Sequence, residues 1–206
     1  LTKTNVGLAT LTGVNTLSGI MNILAGSLEV SGAGLLTSGS VIVNGPTAVL
    51  TLGSTTQGVG AFRLADGLVQ NGTLSAASFG MENGQVSAVL SGSAAVTKST
   101  GGVVTWTGAN TLSGSIDVNA GMLVLGGAGT LTSGSVTVSG TATLMLGSTS
   151  QSVGAFRLAG GAVDAGTLTA TRFGLEDGVA SAQLIGSALL TKSTSGKALL
   201  SGANAL

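Results

Sequence analysis

Thr107-Gly108-Ala109-Asn110-Thr111-Leu112-Ser113-Gly114 decides the fold, because the chain writes it more than once. It stands earlier as Thr12-Gly13-Val14-Asn15-Thr16-Leu17-Ser18-Gly19 and begins again as Ser201-Gly202-Ala203-Asn204-Ala205-Leu206. Leu1-Thr2-Lys3, Val96-Thr97-Lys98 and Leu190-Thr191-Lys192 keep the same step, about 95 residues from lysine to lysine. Gly60-Ala61-Phe62-Arg63-Leu64-Ala65 returns as Gly154-Ala155-Phe156-Arg157-Leu158-Ala159, 94 residues on. One residue therefore separates the copies, and Pro46, the only proline, is the extra one. Self-similarity at a fixed period marks a repeat architecture. The chain divides into a first repeat over 1–95, a second over 96–189 and the start of a third over 190–206. Because the third copy stops inside its motif, the whole reads as a slice of one longer, continuous solenoid.

Within each copy short segments alternate. Leu28 and Val30 flank Glu29, Val41 and Val43 flank Ile42, Leu50 and Leu52 flank Thr51, and Phe62 and Leu64 flank Arg63. The second copy keeps the apolar members as Leu123 and Leu125, Val136 and Val138, Leu144 and Leu146, Phe156 and Leu158, and varies the residues between them. Period two with one constant face is the mark of strands that bury one side. Between the segments lie Asn44-Gly45, Asn71-Gly72, Asn83-Gly84 and Gly126-Gly127-Ala128-Gly129, suited to tight corners that need positive φ. Many short strands with glycine corners fit a sandwich, a barrel or a solenoid, and the duplication selects the solenoid, whose units touch only their neighbours. The expected fold is all-β: a right-handed parallel β-helix. With roughly 20 residues per coil and about 4.8 Å between strands, each repeat holds about four or five coils and advances roughly 20 to 24 Å.

Composition narrows the function. Of 206 residues, 36 are glycine, 7% are charged and 43% hydrophobic. Disorder through excess charge and low hydrophobicity does not fit. Gly, Ser, Thr or Asn interrupts every apolar run, so no segment approaches the roughly 18 apolar residues of a membrane helix. An outer-membrane barrel would carry aromatic girdles, and here Tyr is absent and Trp106 is the single tryptophan. Seven basic and seven acidic residues balance, leaving no electrostatic footprint for nucleic acid. No charged region followed by an apolar segment opens at Leu1, so a targeting signal is expected elsewhere or already removed.

The run Phe79-Gly80-Met81-Glu82-Asn83-Gly84-Gln85-Val86-Ser87-Ala88, with Leu90-Ser91-Gly92-Ser93-Ala94-Ala95-Val96-Thr97-Lys98 and Thr105-Trp106-Thr107-Gly108-Ala109-Asn110-Thr111-Leu112-Ser113-Gly114, resembles the autotransporter-associated β-strand repeat. Val118-Asn119-Ala120-Gly121 extends the match. Trp106 replaces the Leu usual at its place in that motif, and the first copy has Leu24 where the second has Asn119. The resemblance implies a β-helical passenger of a bacterial surface or secreted protein, exported and displayed outside the cell. It carries over no catalytic residue.

Chemistry-bearing groups are sparse. With no His and no Cys, Ser-His-Asp and Cys-His machinery and the common zinc sites are absent. The carboxylates Glu29, Asp66, Glu82, Asp117, Asp164, Glu176 and Asp177 are scattered, and Glu176-Asp177-Gly178 reads as a turn rather than a calcium loop. No catalytic, cofactor or metal site is therefore expected. Arg63 and Arg157 recur at one outward position, as solvated side chains or, in the sharper reading, as ligand contacts. Lys98 and Lys192 recur likewise with Lys3, and are read as outward charges that discourage lateral pairing of sheets. The expected partners are further repeats of the same chain, or other copies end to end or side by side. The leading expectation is the rigid shaft of a bacterial surface or secreted fibre. The alternative is an adhesin passenger that holds a host, surface or glycan ligand on its outward face.

Overall fold

The structure, a computed structural model, describes residues 1–36, 39–187 and 189–206, and these contain strands, turns and bends but no helix. The chain is a β-solenoid of about ten coils, its strands paired in parallel. On one ladder Met21 pairs with Val41, Val41 with Phe62, Phe62 with Phe79, Phe79 with Val96, Val96 with Ile116 and Ile116 with Val136. The steps along it are 20, 21, 17, 17, 20 and 20 residues, and the step from Phe173 to Leu190 is again 17. Each repeat thus spends three long coils and two short ones between its lysines. A second ladder stacks Leu28, Leu50, Val69, Val86, Trp106 and Leu125, and a third stacks Gln57, Leu74 and Leu90. From Ser135 the strand runs unbroken to Ala180, and stacks on itself as it coils: a Cβ on Gly178 would lie 2.5 Å from Gly161 O in the coil before.

The extra residue of the first copy is accommodated at a corner. Pairing between Val41–Val43 and Phe62–Leu64 is regular, shifts at Asn44, and resumes from Val49 opposite Leu68. Pro46 lies exposed inside that irregular stretch, where its missing N–H deprives no ladder of a donor.

The apolar members of the alternating segments all point inward. Met21, Ile23, Leu28, Val30, Val41, Val43, Leu50, Leu52, Phe62, Leu64, Leu144, Leu146, Phe156 and Leu158 are buried in a single core that runs the length of the coil. Columns of like side chains about 4.8 Å apart remove apolar surface from water at about 25 cal/mol per Å². At the short coils Phe62 meets Phe79 edge to face at 6.1 Å, and Phe156 meets Phe173 at 6.2 Å. Large apolar side chains in solvent gather in the first and last coils, among them Leu1, Val6, Leu8, Val14, Leu189 and Leu199.

The repeated Asn of the opening motif is a corner device. Asn110 is buried; its Oδ1 accepts from Leu90 N–H at 2.9 Å in the preceding coil, and its Nδ2 donates to Thr130 O at 3.3 Å in the following one. Gln151 does the same work two coils later, accepting from Leu131 N–H at 2.7 Å and donating to Gly129 O at 3.0 Å, and Gln57 repeats it with Leu36 and Gly34. Backbone groups at a corner fall out of the ladder, and a buried amide carries both a donor and an acceptor to satisfy them.

Candidate functional site

On the first ladder, inward and outward positions alternate, and the recurring cations of the repeat fall on opposite sides of it. Arg63 lies between buried Phe62 and Leu64, and Arg157 between buried Phe156 and Leu158, so both project outward, with about half of each side chain in solvent. Lys98 lies two residues after buried Val96, on the inward parity, and is only 1% exposed. The expectation that Lys98 is an outward charge is thereby corrected. Its column is that of Ile23, Val43, Leu64, Met81 and Val118, an interior column. Lys192, in the same column one repeat later, is exposed in the last coil beside Thr194.

Lys98 is held inside by main-chain oxygens. Its Nζ donates to Thr100 O and, at 3.1 Å, to Ala120 O in the next coil, so the amine bridges two coils at one corner. Lys3 repeats the arrangement with Asn5 O and, at 3.1 Å, Ala25 O, and Lys192 donates to Thr194 O. A glycine makes room for it: Gly121 has φ +67°, and a Cβ there would lie 2.7 Å from Lys98 Nζ and 2.3 Å from both Thr100 O and Gly102 O. Gly26, at φ +70°, holds the corresponding place beside Asn5 and Gly7. Burial drives the Lys98 pKa below its ordinary value, and the carboxylate of Glu82 offsets part of that.

The two outward arginines are not free. Arg63 Nε and Nη2 donate to the two carboxylate oxygens of Glu82 at 2.5 and 2.9 Å, and Arg157 donates to Glu176 at 2.7 Å through each nitrogen. Both pairs are bidentate forks, the arrangement in which guanidinium and carboxylate match best. The Arg157 hydrogen bond holds the Glu176 carboxyl below its usual range. The pairing follows from coil length. With 17 residues in the coil, Arg63 pairs in register with Gly80, and the glutamate two positions further on lies on the same outward parity. The sequence shows both partners, but only the short coil brings them together.

The second copy adds a feature that no sequence motif marks. Ser135, Thr137, Ala155, Arg157, Arg172, Gly174, Glu176 and Thr191 line an open depression of about 310 Å³ on the outer face. Gly174 forms its floor with ordinary space around it: a Cβ placed there would meet Arg157 Cγ first, at 3.8 Å. The signal that could have found this notch is Arg172 standing where the first copy has Ser78.

Among the described residues no three His, Cys, Asp or Glu side chains gather as metal ligands would. No family model, no curated protein and no solved structure matches the chain.

Proposed function

We propose that this chain is a structural module: a stretch of rigid β-solenoid shaft in a bacterial surface or secreted fibre, whose work is length, stiffness and display. One observation carries the reading. The two copies keep the interior nearly residue for residue, with the same succession of long and short coils, the same phenylalanine pair and the same corner amide and lysine, while the outward positions drift. Arg63 and Arg157 stay, but Glu29 becomes Val124, Thr51 becomes Met145 and Gln85 becomes Val179. A shaft needs only its interior, and tolerates outward residues that differ from one copy to the next. An open solenoid end is a row of unpaired N–H and C=O groups that another coil satisfies, so such a stack lengthens by addition of coils.

The resemblance to autotransporter passengers supports export. Immunogold electron microscopy of producing cells, with an antibody raised against the folded chain, tests shaft and export together. Continuous thin filaments decorated along their length are expected. Scattered gold on the outer surface would move the assignment to an adhesive passenger, and gold confined to the cytoplasm would overturn both.

A further inference from the structure

From the notch over Gly174 we infer a binding site for an acidic saccharide, one whose carboxylate or sulfate group is taken by Arg172 beside the pinned Arg157. The inference goes beyond the shaft reading and stands or falls separately from it.

Three features converge there. Arg172 is exposed and has no hydrogen-bond or ion-pair partner among the described residues, although it lies one residue from buried Phe173 on a rigid strand, paired with Leu189 of the next coil. Arg157 spends Nε and Nη2 on Glu176 and keeps Nη1 available, with its plane fixed by the bidentate fork. Hydroxyls complete the rim: the side chains of Ser135 and Thr137 make no hydrogen bond among the described residues, and Thr191 Oγ1, which donates to Phe173 O at 3.3 Å, retains its acceptor capacity. A planar fork for an oxyanion next to free hydroxyls is the chemistry of a charged sugar: the guanidinium takes the anion and the hydroxyls exchange bonds with ring hydroxyls. The glycine floor leaves the ring room to lie against the sheet.

The carboxylates nearby set the polarity of the site. Glu176 is neutralised by Arg157, and Asp117, in register with Thr137 in the preceding coil, closes the far end with negative charge. The anionic group therefore belongs at the Arg172 end. With no aromatic ring to stack on, binding of a single sugar unit is weak, of roughly millimolar order.

The first copy is the built-in control. It has the same arginine, glutamate and glycine in Arg63, Glu82 and Gly80, but Ser78 in place of Arg172 and Ile42 in place of Thr137. It has the fork without the second guanidinium or the hydroxyl.

Isothermal titration and amide chemical-shift mapping of the whole chain, with a uronic-acid oligosaccharide, a sulfated glycosaminoglycan oligosaccharide and a neutral oligosaccharide of equal length, test the site. Expected are one site per chain, shifts centred on Thr137, Arg172 and Gly174, weakening with added salt, and no response to the neutral sugar. Binding of the uronic-acid oligosaccharide shows that a carboxylate suffices, and binding of the sulfated oligosaccharide alone identifies sulfate as the anion recognised. R172S should weaken binding at least about tenfold with unchanged melting, and S78R with I42T should raise the stoichiometry from one to two. Equal binding of the neutral sugar, undiminished binding by R172S, or no binding of either acidic saccharide at concentrations about tenfold above the millimolar range would overturn the inference.

Discussion

Lys98 and Arg157 are both cations, both recur at a fixed place in the repeat and both belong to the same ladder, yet one is sealed in the core and the other lies on the outer face. The difference is one of parity. Arg157 follows Phe156, and an outward step puts its charge in water beside Glu176; Lys98 takes the step of Val96, and its charge arrives among apolar side chains. Each is satisfied according to where it lands. The outward cation meets a carboxylate, which is abundant and adjustable at a surface. The inward one meets backbone oxygens of a corner, groups that would otherwise be left without donors. A recurring charge in a repeat protein is therefore as readily a piece of the interior as a surface contact, and its side follows from its alternation with buried neighbours rather than from its charge.

The largest effect expected comes from forcing the wrong chemistry onto the inward parity without a cradle. Leu144 is fully buried, with Leu123 and Val104 stacked in its column, so Leu144→Asp leaves a carboxylate facing apolar walls at a cost of about 4 kcal/mol or more. Loss of the cooperative far-ultraviolet melt is the expected outcome. A variant that melts like the parent would mean that Leu144 is not an interior residue, and the parity argument would fall with it.

Next in size is Lys98 itself. Lys98→Met keeps the length and apolar stem of the side chain but strips the donors from Thr100 O and Ala120 O, and unsatisfied buried acceptors cost roughly 1–3 kcal/mol. The buried charge that the substitution also removes works in the other direction, so a net loss of about 2 kcal/mol is expected in denaturant melts. The pH dependence separates the two contributions. Because the folded pKa is lowered, the folded chain releases this proton at lower pH than the unfolded chain does. Between the folded value and about 10.4 the unfolded state therefore binds more protons, and stability from this group rises with pH. A neutral amine still has two N–H donors for the two carbonyls, so nothing in the cradle is lost. The stability gap between parent and Lys98→Met should accordingly widen from neutral pH toward about 10. A gap that narrows would show that the ammonium is favoured inside.

How much of this is legible in the sequence depends on the residue. The inward set Leu28, Val30, Val41, Val43, Phe62 and Leu64 is readable because period two with a constant face has one physical meaning, and Pro46 is readable as the inserted residue because duplication supplies its own alignment. Lys98 misleads through its charge: a buried lysine is rare, and the sequence does not display the carbonyl cradle and the glycine space that make burial tolerable. The Arg–Glu forks are hidden by a different variable. Coil length differs between 17 and 21 residues along one ladder, and a uniform coil of about 20 would misplace Glu82 relative to Arg63. Corner amides such as Gln151 recur only once per long repeat, as Gln57, and carry no coil-by-coil signal that would separate them from any other polar residue of a turn, since Asn110, Leu131 and Gln151 follow one another down one edge of the stack.

The smallest effect should come from the outward member of the comparison. Arg157→Ser removes a bidentate pair whose geometry is good, but about half of the arginine side chain is in solvent, and exposed pairs contribute roughly 0–1 kcal/mol once screening and side-chain entropy are counted. The melt should shift by a degree or two at low ionic strength and by less in high salt, with the Glu176 carboxyl returning toward its ordinary pKa as its donor disappears. The contrast with Lys98→Met is the point of the experiment. Two cations of the same repeat, one held by corner oxygens and one by a carboxylate, should differ severalfold in what their loss does to stability, because water replaces the partner at one site and nothing replaces it at the other. Should Arg157→Ser prove as damaging as Lys98→Met, the outer face would be part of what holds the coil together, and the drift of outward residues between the copies would need another cause than freedom from constraint.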